Sequence, residues 1–246
     1  MQQINYIPHA EIDKQKWNRC IEEAANGLIY AYAWYLDAMC DEWDALVLND
    51  YEAVMPLPRN SKYGVHYLYQ PYFCASLGVF ATTSPAATMV EAFLKKIPKR
   101  YKYIDIYLNH QNLFSIADFP MTERVNYVLP LNRPYEEIAN DYRTNLKRNI
   151  KKAEQGGLLV KEDIELNEIL TLAGETMQRV SAISDEQLNR FRNVYEAARK
   201  YKQAELIGIY SAANQLLASA VFLFSHKRWY YILVGNHPNG KTLGAS

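Results

Sequence analysis

The sequence predicts an α/β (α+β) protein of two tandem domains, residues 1–132 and 133–246, each a twisted mixed sheet flanked by helices, with the second incomplete at its C-terminus. Three observations carry this. Runs of alternating hydrophobicity are interleaved with helical runs along the whole chain. A strand meander followed by a Leu-Gly loop occurs twice, with Tyr67 and Trp229 opening the third strands and Leu77-Gly78 and Leu243-Gly244 in the loops, offset by 162 and 166 residues. A chain of 246 residues, 49% hydrophobic and 22% charged, is long enough and apolar enough to fill two modest cores.

In chain order, helical patterns are expected near 11–25 and 30–40, then strands at DALVLND, EAVMPLP and VHYLYQPYF. The loop CASLGVFATTSP leads to a helix, AATMVEAFLKKI, stopped by Pro98. Two more strands, YKYIDIYLN and RVNYVLPL, bracket an irregular stretch. After Pro134, placed in a first helical turn with Glu136 and Glu137 near its positive end, a basic helix is followed by the strand LLVKED and helices near 165–180 and 185–201. The strands AELIGIY, LLASAVFLF and WYYILVGN and the loop HPNGKTLGAS complete the chain. The second half stops where its next helix is due, so the edge after WYYILVGN is expected to be covered by a partner chain, through self-association, or by further elements.

The 27 Lys and Arg balance 27 Asp and Glu, which excludes a protein that coats DNA or a membrane with its whole surface. Cys20, Cys40 and Cys74 are odd in number and far apart, which fits reduced, buried thiols and neither a redox pair nor a metal knuckle. The N-terminus is too polar for a signal peptide and no apolar run reaches the ~20 residues of a membrane span, so a cytoplasmic protein is expected.

Against this neutral background, DYRTNLKRNIKKAEQGG concentrates five cations within residues 143–152. On a helical wheel Leu146, Ile150 and Ala153 form an apolar edge. Arg143, Lys147 and Lys151 form one row and Arg148 with Lys152 the next, and Gly156-Gly157 suits a left-handed C-cap. Such a face is either ordinary solvation or an anion clamp, in which guanidinium forks and ammonium charges meet phosphate. The clamp residues are then Arg143, Lys147, Arg148 and Lys151.

The segment TNLKRNIKKAEQGGLLV resembles the signature of the Fem-type (FemABX-like) peptidoglycan-bridge aminoacyltransferases, in which a basic helix precedes a Gly turn and a strand. In the same order, ASAVFLFSHKRWYYILVGNHPNGKTLGAS is similar to their later strand pair and Gly-Ala-Ser loop. The resemblance covers residues 134–246, and the first half mainly in architecture. The family's Pro-Arg-Gly-Pro-like segment is here YLYQPYF, sharing only Pro71, so its substrate contacts are not carried over.

The resemblance implies two GNAT-like domains that transfer an acyl or aminoacyl group to an amine acceptor, a small molecule or muropeptide, bound between them. Acyl-CoA or aminoacyl-tRNA would be the co-substrate, with tRNA as a partner, no tightly bound cofactor, no metal and no DNA. GNAT-type chemistry needs donor positioning and a backbone donor for the oxyanion rather than a diagnostic triad, so no catalytic residue is assigned. Asn239, Gly240, Lys241, Gly244 and Ala245 stand where a CoA pyrophosphate loop would lie, or form a simple Asn-Gly turn. Glu205 is either a general base or an exposed strand end. His226 and His237, flanking the WYYILVG strand, read as turn residues. The 20 tyrosines line a polar-aromatic cleft or serve sheet packing. The alternative function is a non-catalytic protein holding a phosphorylated ligand or RNA on helix 143–152. That helix has no aromatic residue interleaved with its cations, which argues against single-stranded RNA there.

Overall fold

The computed structural model describes residues 3–113, 119–162, 164–178 and 183–245. The N-terminal part runs β1 (Ile4–Ile7), α1 (Lys14–Glu23), α2 (Ala33–Met39), β2 (Glu42–Leu48), β3 (Ala53–Lys62), β4 (Val65–Leu68), β5 (Phe80–Ala81), α3 (Ala87–Lys96) and β6 (Tyr101–Ile104). It continues with α4 (Tyr135–Asn140), α5 (Thr144–Gln155), β7 (Leu159–Lys161), α6 (Leu166–Gln178), α7 (Asp185–Lys200), β8 (Ala204–Tyr210), β9 (Leu216–Ser225), β10 (Arg228–Asn236) and α8 (Pro238–Leu243).

The strands make two sheets. The first has the order β1-β2-β3-β4-β6, with β5 also on β3; the second has the order β10-β9-β8-β7. Within the first, β1 to β4 pair antiparallel, whereas β4 and β6 are parallel, with a register shift between His66 and Tyr67. A parallel neighbour requires a crossover rather than a hairpin, and α3 supplies it. The expected meander, β2-β3-β4, is present, and its counterpart is β8-β9-β10.

By contact, the chain divides into two compact units. One comprises Met1–Ile116, Ile183–Glu205 and Phe222–Ile232; the other comprises Ala117–Ala182, Leu206–Val221 and Leu233–Ser246. The first core is aromatic: Trp17, Trp43, Tyr35, Phe80, Phe93 and Phe191 are fully buried. Trp17 packs on Trp43 with ring centroids 4.9 Å apart and donates its indole N–H to the Ala31 carbonyl at 2.7 Å. The helix α7 closes that core, Phe191 lying 4.8 Å from Phe73. Its start is fixed by a reciprocal cap in which Ser184 and Gln187 bond each other's backbone N–H. In the second unit, Ile169, Ala173, Leu217 and Val221 are among the buried residues.

Several expectations need correction. RVNYVLPL is not a strand: residues 124–131 are exposed and irregular, although Val125, Tyr127, Leu129 and Leu131 alternate as a strand requires. Pro130 withholds one ladder donor, and among the described residues no strand lies beside the segment. INYI, unassigned from sequence, is β1. VHYLYQPYF ends early at Leu68, after which the Gln70 side chain replaces the ladder, donating to the Cys74 carbonyl at 2.7 Å and accepting from the Tyr107 N–H at 2.9 Å. The expected loop HPNGKTL is α8. Residue 163 of the expected strand LLVKED, residues 179–180 of the expected helix, part of the irregular stretch before residue 124, and Ser246 lie outside the described residues. No described helix is long and apolar enough to cross a membrane.

The first sheet gathers on one buried acid. Asp44, in β2, is fully buried. It accepts hydrogen bonds from the Tyr6 hydroxyl, the His9 backbone N–H at 2.9 Å and the Tyr101 hydroxyl at 3.0 Å. The guanidinium groups of Arg59 and Arg100 supply the opposite charge. Burial and the Asp44 carboxylate push the Tyr6 phenol far above its ordinary pKa, keeping it a donor. Removing one member of such a cluster leaves the others desolvated without compensation. Asp44→Ala is expected to cost about 3 kcal/mol, read as a lowered urea midpoint, and Asp44→Asn, which keeps an acceptor oxygen, should cost less. Equal midpoints for Asp44→Ala and wild type would contradict this role.

Candidate phosphate-binding helix

The basic segment is two helices rather than one. Pro134 occupies the N-cap of α4, with Glu136 and Glu137 in the first turn, and α4 ends at Asn140. Arg143 then takes extended backbone angles as the N-cap of α5, so it stands at the mouth of the helix and not within the row of Lys147 and Lys151. The C-terminus follows the sequence expectation. Gly157, at φ 63°, is the left-handed residue, its N–H bonds the Glu154 carbonyl, and the Leu158 N–H bonds the Ala153 carbonyl.

No residue of α5 is buried. Leu146 is 44% exposed, while Ile150 and Ala153 are half-buried. Arg143, Lys147, Arg148, Lys151 and Lys152 are all exposed. The Lys147 ammonium reaches back to the Asn140 carbonyl at 2.9 Å, and Arg148 donates to the Asn145 side-chain oxygen at 2.6 Å. Among the described residues none of these five cations is ion-paired. The nearby acid, Asp141, is engaged by Arg133 at 2.9 Å. The face therefore keeps its charge uncompensated by acids, with one donor each of Lys147 and Arg148 used within the chain.

The second group of candidates, Asn239, Gly240, Lys241, Gly244 and Ala245, lies on α8 and just beyond it. His237 caps this helix through Nδ1, which accepts the Asn239 N–H at 3.1 Å, and Pro238 takes the first turn. The glycines serve close approach. A methyl group on Gly240 would stand 2.5 Å from the Leu217 carbonyl oxygen in β9. One on Gly244, at φ +80°, would stand 2.5 Å from the Asn149 carbonyl oxygen in α5. Ala245 is buried, and its N–H bonds the Gly240 carbonyl. Thus α8 bridges the second sheet and the basic helix, Gly244 meeting α5 at Asn149. Lys241 is exposed beside them.

The remaining candidates lie elsewhere. Glu205 is exposed near the start of β8. His226 is in the β9–β10 turn, with Nε2 2.8 Å from the Ile21 carbonyl and Nδ1 2.8 Å from the Ser225 hydroxyl. A carbonyl only accepts, so Nε2 carries the proton and Nδ1 of the neutral ring accepts from Ser225. Burial, with a smaller contribution from Arg228, holds the His226 pKa below its ordinary value. Cys20, Cys40 and Cys74 are buried free thiols, as expected, and burial pushes the Cys20 thiol up to about 12.

No protein-family profile matches the sequence, and no curated protein matches it. A search of solved structures finds FemX, by its crystal structure, with a TM-score of 0.63 and 15% identity, over 97% of this chain and 82% of that one. The fold is Fem-type. The mixed α/β architecture, with two sheets flanked by helices, agrees with the fold class expected from sequence.

Two glycines separate conformational cost from packing cost. A methyl on Gly157 meets nothing within 4 Å, so Gly157→Ala bears only the left-handed backbone penalty, about 1 kcal/mol. Gly244→Ala adds the collision with α5 and should be the more destabilising by a further 1 kcal/mol or so, read by denaturant titration. For His226, a depressed folded pKa stabilises the fold above the ordinary imidazole range, and that contribution is lost as pH falls through the folded value. Stability should therefore drop from pH 7 to 5 more steeply in wild type than in His226→Asn.

Proposed function

We propose that this chain is an acyl- or aminoacyl-transferase of the Fem-like type, which moves an acyl or aminoacyl group from a thioester or tRNA ester to an amine acceptor. The observation that carries the reading is the Fem-type fold extending over 97% of the chain. The unpaired cations of α5 support a phosphorylated co-substrate, whether acyl-CoA, aminoacyl-tRNA or a nucleotide-linked muropeptide. A cytoplasmic location fits substrates of this kind.

In the reaction the acceptor nitrogen attacks the carbonyl carbon of the donor. The new C–N bond forms as the C–O or C–S bond breaks; the amine loses a proton and the leaving hydroxyl or thiol gains one. Binding energy from the donor's phosphates, remote from the reacting carbon, is well suited to hold that carbon in place. Arg143, Lys147, Arg148 and Lys151 are the residues assigned to this task, Arg148 through its planar fork and the lysines as point charges.

The test is a titration with UDP-linked muropeptide, aminoacyl-tRNA and acetyl-CoA at two salt concentrations, followed by mass analysis of any transfer product. Transfer to the amine supports the proposal, whereas tight, salt-sensitive binding without turnover would favour a binding protein instead. Arg148→Ala should weaken the phosphorylated ligand about tenfold while leaving the thermal midpoint nearly unchanged, since its side chain is exposed. Equal affinities of mutant and wild type for all three ligands would leave α5 an ordinary solvated face.

A further inference from the structure

One end of the first sheet is cationic and rich in tyrosine, and no function above draws on it. The run KKIPKRYK, residues 95–102, puts five cations into eight positions. It spans the end of α3, a turn and the start of β6. Because β6 runs parallel to β4, with His66 paired to Tyr101, the turn before β6 lies at the same end of the sheet as the turn before β4. That second turn is Tyr63-Gly64, at φ 52° and 78°, with Lys62 paired to Val65. Positive φ at both central residues is the hairpin turn that matches strand twist. Tyr63 is 94% exposed, and a methyl group on Gly64 would meet nothing within 4 Å, so the tip projects into solvent.

Pairing sets Tyr67 opposite Tyr103 and Val65 opposite Lys62, and strand alternation puts these four on one face. With Tyr63 they line a shallow cavity of about 370 Å³. Cations rim this apolar floor. Lys95 and Lys96 suit the negative end of α3, but Lys62, Lys99 and Lys102 come from other elements. Lys62, Lys96, Lys99 and Lys102 are exposed, and none of them is ion-paired among the described residues. The Lys62 ammonium stands over the Tyr63 ring, 5.5 Å from its centroid. The acids of the elements that build this end already have partners: Asp41 has Arg190, Glu42 has Arg59, Asp44 has Arg59 and Arg100, and Glu91 has Lys95. Asp105 follows the last residue of β6, at the other end of that strand.

An exposed apolar tip among unpaired ammonium groups has both halves of an interfacial anchor, rings that sit at headgroup level and charges that meet anionic lipid. A second copy of this chain would bring like charges together across the contact. Stacked bases need an open run of rings, whereas here Val65 shares the floor with the tyrosines and suits an acyl chain. We infer that this end of the first sheet docks on an anionic phospholipid bilayer. Tyr63 enters the headgroup layer, and Lys62, Lys96, Lys99 and Lys102 meet the lipid phosphates. The protein lies on such a surface without crossing it. The inference is independent of the transferase reading, which assigns no residue here.

The experiment is co-sedimentation with vesicles of phosphatidylcholine alone and of phosphatidylcholine mixed with phosphatidylglycerol, with glycerol phosphate as a soluble competitor. Wild type should pellet with the mixed vesicles, less so as salt rises, and stay in solution with the neutral ones. Each lysine near an anionic surface contributes about fivefold, so replacing Lys99 and Lys102 by Gln should weaken binding roughly 25-fold. Tyr63→Ala should weaken it several-fold. Tyr63→Trp should keep it and gain, over wild type, tryptophan fluorescence that brominated acyl chains quench. Circular dichroism confirms folding of each variant. No binding by wild type, equal binding to neutral vesicles, equal binding by the lysine variant, or release by glycerol phosphate would overturn the inference. So would a loss of vesicle binding confined to replacement of Lys147 and Lys151 by Gln, which would place the lipid on α5. Wild type that ignores vesicles but binds single-stranded RNA through Tyr63 and the lysines would reassign the surface and overturn it too.

Discussion

A carboxylate moved from water into an apolar interior costs several kcal/mol unless charge and hydrogen bonds replace its hydration. Asp44 obtains that replacement from four separate pieces of the N-terminal region: Tyr6 in β1, His9 just beyond it, Arg59 in β3, and Arg100 with Tyr101 at the start of β6. Because the donors come from four different places in the chain, the acid is satisfied only when all of them are in register. A one-residue slip of β3 would turn Arg59 to the opposite face. The cluster thereby specifies the order and register of the first sheet more tightly than apolar packing could. The site elements of the second unit are positioned by another device, the backbone approach of α8 to β9 and α5 at Gly240 and Gly244.

That second device changes how the glycines of HPNGKTLGAS are understood. From sequence they could be the cradle of a pyrophosphate. In the fold, one is buried against a strand carbonyl and the other touches the carbonyl of Asn149, in the middle of the basic helix. Their lack of a side chain is used to hold α5 to the sheet. Since α5 has only half-buried apolar residues, Ile150 and Ala153, to hold it, this contact and the Gly157 turn help to fix its position. The cations can then be fully solvated and still fixed in space.

How much of this was legible follows from the range of the signal. The meanders β2-β3-β4 and β8-β9-β10 were visible because alternation is local, and Gly156-Gly157 because the left-handed cap is a property of one residue. The same rule produced a false strand at RVNYVLPL, where the alternation is real but no described neighbour accepts it. The helix α8 carries conflicting signals: His237-Pro238, a capping side chain and then Pro in the first turn, starts a helix, whereas Asn239-Gly240 is a turn pair. Asp44 could not have been singled out, since its partners are separated by up to 57 positions. The cationic end of the first sheet is half-visible: KKIPKRYK is a local run, but only the pairing of β4 with β6 brings it beside Tyr63-Gly64.

The first unit is assembled from three separate stretches of chain, and this has a consequence for synthesis on the ribosome. Phe73 meets Phe191 of α7, the Ile29 N–H meets the Tyr230 hydroxyl across 201 positions, and the Ile21 carbonyl meets His226 across 205. The sheet that emerges first must therefore wait, with Phe73 uncovered, for a helix made after the whole basic segment and for a hairpin made later still. Closing such long loops is entropically slow, and the waiting N-terminal stretch exposes apolar surface meanwhile. In this chain the order of translation and the order in which the core can close run against each other, so the nascent N-terminal unit is the stage most in need of shielding by a chaperone.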